Sequence, residues 1–170
     1  MEGQRKEYCL EYLKARKKFR DFADSDDVLQ GNDNILGRIG EAIAHSFLER
    51  QDRTPIVLNN QTEEGYDIIC DNDKKQRISV KTITSENKSG GTTKINDKYD
   101  ELILVSINDN FEVERLGHIS RDNFLKGYSK SNRYKAKIPY FRKSMLDDNG
   151  LISKYGKLYL KKDLIEYELL

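Results

Sequence analysis

The sequence predicts an α/β domain in which a mixed β-sheet is flanked by helices. Three observations predict it. Residues 35–50 carry apolar side chains at helical spacing, Ile35, Ile39, Ile43 and Phe47. Short apolar runs rich in β-branched residues follow between residues 56 and 119, each bounded by Asn, Asp or Gly. Helical patterns stand at both ends of that strand region, so the sheet has helices to pack on it.

Taken in order, residues 4–22 read as a helix, with Tyr8, Leu10, Tyr12, Leu13, Phe19 and Phe22 among lysines and arginines. Asp24-Ser25-Asp26-Asp27 and Gly31-Asn32-Asp33-Asn34 break it. The second helix then starts behind Asn34 as N-cap. It contains Gly37, Gly40 and Ala44. Each glycine weakens a helix by about 1 kcal/mol relative to alanine, so close packing on a sheet is what they provide. Strands are expected at Ile56–Leu58, Tyr66–Cys70 and Gln76–Ile83, the last two joined as a hairpin through Asp71-Asn72-Asp73. Residues 85–98 are polar, contain Gly90-Gly91, and read as a mobile loop. A second hairpin pairs Glu101–Ile107 with Phe111–Ile119. A short helix over residues 120–127 is capped by Ser120, Pro139 starts another, and Leu158–Leu170 reads as strand then helix.

A chain of 170 residues fits one domain, with its core over about residues 35–120. Mean hydropathy is −0.81, and no apolar run approaches the ~18 residues of a membrane helix. The first residues lack an apolar signal core, so no membrane partner and a cytoplasmic location are expected. Two cysteines, Cys9 and Cys70, make neither a disulfide framework nor a zinc site. Cys70 reads as a small core residue. The formal charge of +1 hides a separation. Residues 121–145 hold eight cations against Asp122, a local +7, while the remainder holds 22 cations against 28 anions, −6. Such a segment creates a local positive field on a near-neutral protein.

The chemistry is concentrated in Gly65-Tyr66-Asp67-Ile68-Ile69-Cys70 and Ile78-Ser79-Val80-Lys81, with Gly37-Arg38-Ile39-Gly40-Glu41 on the helix before them. Side chains alternate faces along a strand, so Ile78, Val80 and Thr82 share one face and Ser79 and Lys81 the other. A hairpin brings Asp67 to the same end of the sheet as residues 79–81. Two acids and a lysine can hold Mg²⁺ and act on a phosphate: carboxylates are hard oxygen ligands, and a lysine orients water or neutralises charge on phosphorus.

These residues resemble the PD-(D/E)XK nuclease superfamily, the restriction-endonuclease-like fold. The resemblance covers about residues 35–83, under a third of the chain. It implies that Asp67 ligates the metal, that the Val80 carbonyl adds a second oxygen, that Glu41 binds the metal or its water, and that Lys81 activates the nucleophile. The position of Ser79 usually carries Glu, Asp or Gln, so one negative charge is missing there. Tyr66 stands where the family has proline. The resemblance therefore implies a Mg²⁺-dependent DNA endonuclease of restriction or defence type, with Mn²⁺ as a substitute cation. Its partner would be double-stranded DNA, and the protein would act as a homodimer with one site per strand. The alternative is a nucleic-acid-binding module that keeps the nuclease fold but cuts weakly or not at all. RNA or branched DNA is a further substrate class.

In the basic segment, Lys126, Lys130, Arg133, Lys135, Lys137, Arg142 and Lys143 are candidate phosphate contacts. Phe124, Tyr128, Tyr134, Tyr140 and Phe141 between them either stack on bases or anchor the segment to the core. His45 lies one turn after Glu41 and reads as a structural histidine or a phosphate contact. His118 has no evident partner. The chain lacks a nucleophile elbow, a Gly-x-x-x-x-Gly-Lys loop and a dinucleotide fingerprint.

Overall fold

The structure, a computed structural model, describes residues 2–29, 35–58, 65–70, 75–84, 87, 91–108, 112–134, 136 and 138–165. Among these residues the chain runs α1 (Glu2–Ala23), α2 (Ile35–Glu49), β1 (Pro55–Val57), β2 (Ile68–Cys70), β3 (Gln76–Thr84), β4 (Gly91–Lys94), β5 (Glu101–Ile107), β6 (Val113–Ser120), α3 (Arg121–Lys130), β7 (Tyr140–Arg142), a 3₁₀ helix (Lys143–Leu146), α4 (Leu151–Tyr155), β8 (Lys157–Leu160) and α5 (Lys161–Ile165). The Asn34 cap, the turn at residues 71–74 and the tip at 109–111 lie outside the described residues.

Six strands form one mixed sheet in the order β1-β2-β3-β5-β6-β8. Every neighbouring pair is antiparallel except β3 with β5, which run parallel from Ile78 beside Glu101 to Thr84 beside Ile107. A parallel pair needs a long crossover, and residues 85–100 provide it. The expected loop at 85–98 is corrected in part. Gly91–Lys94 is strand β4, paired antiparallel with β7 in a separate two-stranded sheet. The Ile95 N–H then donates to the Pro139 carbonyl at 2.8 Å. The helix expected from Pro139 is also corrected. Residues 140–142 are strand, and only the following turn is 3₁₀. Pairing with the crossover decided that outcome, and local propensity could not foresee it.

Strand alternation divides the core into two layers. On one face, Ile43, Ala44, Phe47 and Leu48 of α2 pack on Ile68, Ile78, Val80, Ile103, Val105 and Leu116. On the other, Phe124 of α3 and Leu151 and Ile152 of α4 pack on Ile83, Leu102, Leu104 and Ile119. Met145, Leu146, Tyr134 and Phe141 complete that second layer. Phe124, Tyr134 and Phe141 are thus buried anchors, which removes them as base-stacking groups. Cys70 is buried, and burial raises its thiol pKa, as suits an inert core residue. Ser120 caps α3 by accepting the Asn123 N–H at 3.4 Å. Asp24, just past α1, is tied to α2 by Arg38 at 3.2 Å. No helix among the described residues is long and apolar enough to cross a membrane.

Helix α2 approaches β3 closely at Gly40. A Cβ there would stand 1.7 Å from Thr82 Oγ1 and 2.9 Å from Thr82 Cβ. Both Thr82 atoms belong to a stiff β-branched side chain. Gly40→Ala should therefore destabilise the protein by about 1–3 kcal/mol in urea unfolding, despite alanine's better helix propensity. Adding Thr82→Ala should recover at least half of that loss. An unchanged midpoint for Gly40→Ala would contradict this packing.

Candidate functional site

The geometry begins with unequal strand lengths. β2 pairs with β3 only over Gln76–Ile78, while β3 continues to Thr84. The Asp67 N–H closes the ladder by donating to the Ile78 carbonyl at 2.8 Å. Residues alternate along a strand in the direction their amides point. The N–H and C=O of Val80 therefore face the position that β2 has vacated, and a backbone group that faces no strand needs another partner.

Two side chains supply those partners. The Asp67 carboxylate accepts the Val80 N–H through Oδ2 at 2.5 Å, and the Lys81 ammonium donates to the Val80 carbonyl at 2.9 Å. The same Oδ2 accepts from Ser79 Oγ at 3.2 Å and from Lys81 Nζ at 3.4 Å. Gly65, at φ +80°, turns the chain into this segment, and a side chain there would crowd Asn96. The Asp67 and Lys81 side chains keep 13 % and 16 % of their surface exposed, while Ser79 keeps none. The cluster is thus sheltered but open to solvent at its charged ends.

The structure therefore brings Asp67, Ser79, Val80 and Lys81 together. Glu41 is half-buried on α2, directly after the Gly40 that abuts Thr82, the residue next to Lys81. Among the described residues, no group of three or more His, Cys, Asp or Glu could hold a metal ion. The donor set that remains is one carboxylate and one backbone carbonyl at the strand edge, with Glu41 on the adjoining helix. Carboxylate and carbonyl oxygens are the ligand type Mg²⁺ takes, and here Lys81 already donates to both the Val80 carbonyl and Asp67 Oδ2.

Of the candidate phosphate contacts, Lys126, Lys130, Arg133 and Arg142 are exposed. Lys143 is exposed and pairs with Glu114 at 2.9 Å. Lys135 and Lys137 lie outside the described residues. His45 makes an i,i+4 contact with Glu49 at 3.3 Å on a largely buried ring, which favours its structural reading.

The structure also gives His118 a partner that sequence reasoning missed. Its Nε2 lies 2.6 Å from Glu101 Oε2, which also accepts from Arg53 NH1 at 2.8 Å. Arg53 NH2 reaches Gln76 Oε1 at 2.5 Å, and the Phe47 ring meets the imidazole edge-on. Ile103 stands opposite His118 in the β5–β6 register, so Glu101 is its diagonal neighbour on the same face. The register would have revealed this pair. Arg53, from the turn before β1, has no such signal. Burial pushes the Glu101 carboxyl up, but the His118 and Arg53 hydrogen bonds outweigh it and hold the group below the ordinary glutamate range.

No family model matches this sequence, and no curated protein matches it.

A carboxyl held low in the folded state contributes stability above its unfolded pKa and loses it as pH falls through the folded value. Glu101→Gln should lower stability at pH 7 by roughly 1–3 kcal/mol, because Arg53 loses a charged acceptor. It should also flatten the fall in stability between about pH 5 and pH 3. Parallel acid-unfolding curves for the two proteins would contradict this assignment.

Proposed function

We propose that the chain is a Mg²⁺-dependent nuclease that hydrolyses phosphodiester bonds in double-stranded DNA. The observation that carries this reading is the meeting of the Asp67 carboxylate, the Val80 carbonyl and the Lys81 ammonium at the open edge of β3. Asp67, the Val80 carbonyl and Glu41 are the residues that would hold the cation, Mn²⁺ being its substitute. When bound, Mg²⁺ supplies Lewis-acid polarisation of a phosphoryl oxygen and lowers the pKa of a bound water. Lys81 then donates to the attacking water or to a phosphoryl oxygen, where its charge offsets the negative charge that builds on phosphorus. Ser79 holds Asp67 in place from beneath, fully sheltered from solvent. The exposed cations Lys126, Lys130, Arg133 and Arg142 supply sequence-independent grip on the backbone. Cutting both strands calls for two copies of the site, so a twofold homodimer is part of the proposal. Restriction of foreign DNA is its natural setting.

Ser79 favours a second reading, a nucleic-acid-binding module with little or no cleavage. A neutral buried hydroxyl stands beside Asp67 where a further acid would strengthen cation binding.

Asp67→Asn tests the chemistry with little risk to the fold, because the amide oxygen can still accept the Val80 N–H. Asp67→Asn and Lys81→Ala should each lower Mg²⁺-dependent cleavage of duplex DNA by roughly 10²–10⁴-fold. Both should bind duplex in EDTA as the parent does. Cleavage that persists in either variant would sink the assignment. Calorimetry with Mn²⁺ separates the two readings: specific uptake that disappears in Asp67→Asn supports the nuclease, and absent uptake in the parent supports the binding module.

A further inference from the structure

The second-layer face carries a cavity of about 410 Å³ between the end of α3, the turn after it and α4. Lys130, Arg133 and Lys154 line it together with Ser131, Asn149 and Tyr155, and none of its lining residues is acidic. Its wall is set by close contact: a Cβ at Gly127 of α3 would stand 2.6 Å from Tyr155 Cδ2. Ser131 shapes the turn, donating its N–H to the Tyr128 carbonyl at 3.2 Å and accepting the Arg133 N–H at 3.1 Å. Lys130 and Arg133 are thereby held on one rim, and Lys154 reaches the cavity from α4.

Some exposed cations of the protein are paired with acids. Lys143 pairs with Glu114, Lys161 with Glu112 and Arg115 with Asp148. No ion pair to Lys130, Arg133 or Lys154 occurs among the described residues. Three like charges around one cavity repel one another, and an anion entering it relieves that repulsion. The cavity falls within the 300–1,000 Å³ or so of small-ligand sites, larger than a bare phosphate needs. Arg and Lys donors beside a serine and an asparagine suit a phosphate ester, with Arg133 able to bind it bidentately.

We propose that this cavity is a phosphate-binding subsite, separate from the Asp67 cluster, that takes the phosphate of a nucleotide, either free or within a nucleic-acid strand. Its phosphate chemistry follows from the cavity alone. Its service to a DNA strand rests on the nuclease reading. Lys154 lies outside the basic segment, so it extends the cationic surface onto α4.

The test uses the full chain in EDTA. Inorganic phosphate and adenosine 5′-monophosphate are titrated by calorimetry, and a labelled DNA duplex by fluorescence anisotropy across a salt series. Lys154→Gln and Arg133→Gln should each weaken monophosphate binding about tenfold. Each should also reduce the salt slope of duplex binding by about one. Lys161→Gln, an exposed paired lysine elsewhere, should change neither. Circular dichroism checks that the variants are folded. Monophosphate binding that depends on Arg133 and Lys154, in a protein that ignores duplex DNA, would support the subsite while the DNA reading fails. Duplex binding with an unchanged slope in both variants would overturn the subsite and leave the nuclease reading standing. No saturable heat from either phosphate compound in the parent would also overturn it.

Discussion

The site depends on how the backbone of Val80 is satisfied. Sheets bury their ladders, and a strand that outlasts its neighbour exposes amides which must find partners elsewhere. β3 outlasts β2 after Ile78, and the next amide pair facing that side belongs to Val80. A sheet edge of this kind is usually closed by another strand or left to water. Here a carboxylate takes the N–H and an ammonium takes the carbonyl, and the two charged groups then lie within reach of each other. The structural requirement and the chemical opportunity are the same event. Asp67 and Lys81 meet because each has a backbone group to satisfy on one residue between them.

The layers of the fold place different groups on the two faces of this edge. Ile78, Val80 and Thr82 point toward α2, so that helix covers one side of β3. Ser79 and Lys81 point to the other, where the second core layer includes Ile83, Leu102 and Leu104. The α2 backbone comes down onto the sheet at Gly40, and its next residue is Glu41. A lysine from one face and an aspartate entering in the sheet plane meet at Val80, where the neighbouring strand has stopped. The crossover between the parallel strands β3 and β5 packs over the second face, with Ile95 and Tyr99 in that core layer.

Local pattern carried much of this into view. The 3.6-residue spacing of Ile35, Ile39, Ile43 and Phe47 marks α2, and the alternation through Ile78–Lys81 assigns the faces of β3. Asp67 and Lys81 sit close together in sequence across one hairpin, so their approach follows from turn signals alone. What escaped prediction depends on distant pairing. β4 is short and polar enough to read as loop, β7 is three residues behind Pro139 that read as a helix start, and their mutual pairing makes them strands. The Arg53–Glu101–His118 network joins a turn to two central strands, and nothing within a window of neighbouring residues reports it. The basic segment carries a mixed signal. Its charge is plain in composition, but the burial of Phe124, Tyr134 and Phe141 depends on a core layer that the segment itself helps to build.

The consequence for chemistry is a question of charge count. Asp67 and Lys81 carry opposite formal charges and Ser79 carries none, so the side chains that meet at this edge bring no net negative charge. A negative charge missing about 4 Å from a divalent ion withholds several kcal/mol of attraction even at an effective dielectric constant near 20. The Lys81 ammonium also occupies the Val80 carbonyl, the second oxygen a cation would use. In the proposed nuclease, a cation that took that carbonyl would displace Lys81 from it. A phosphate bound beside that cation would then supply the negative charge that position 79 lacks and would give the displaced lysine a new acceptor.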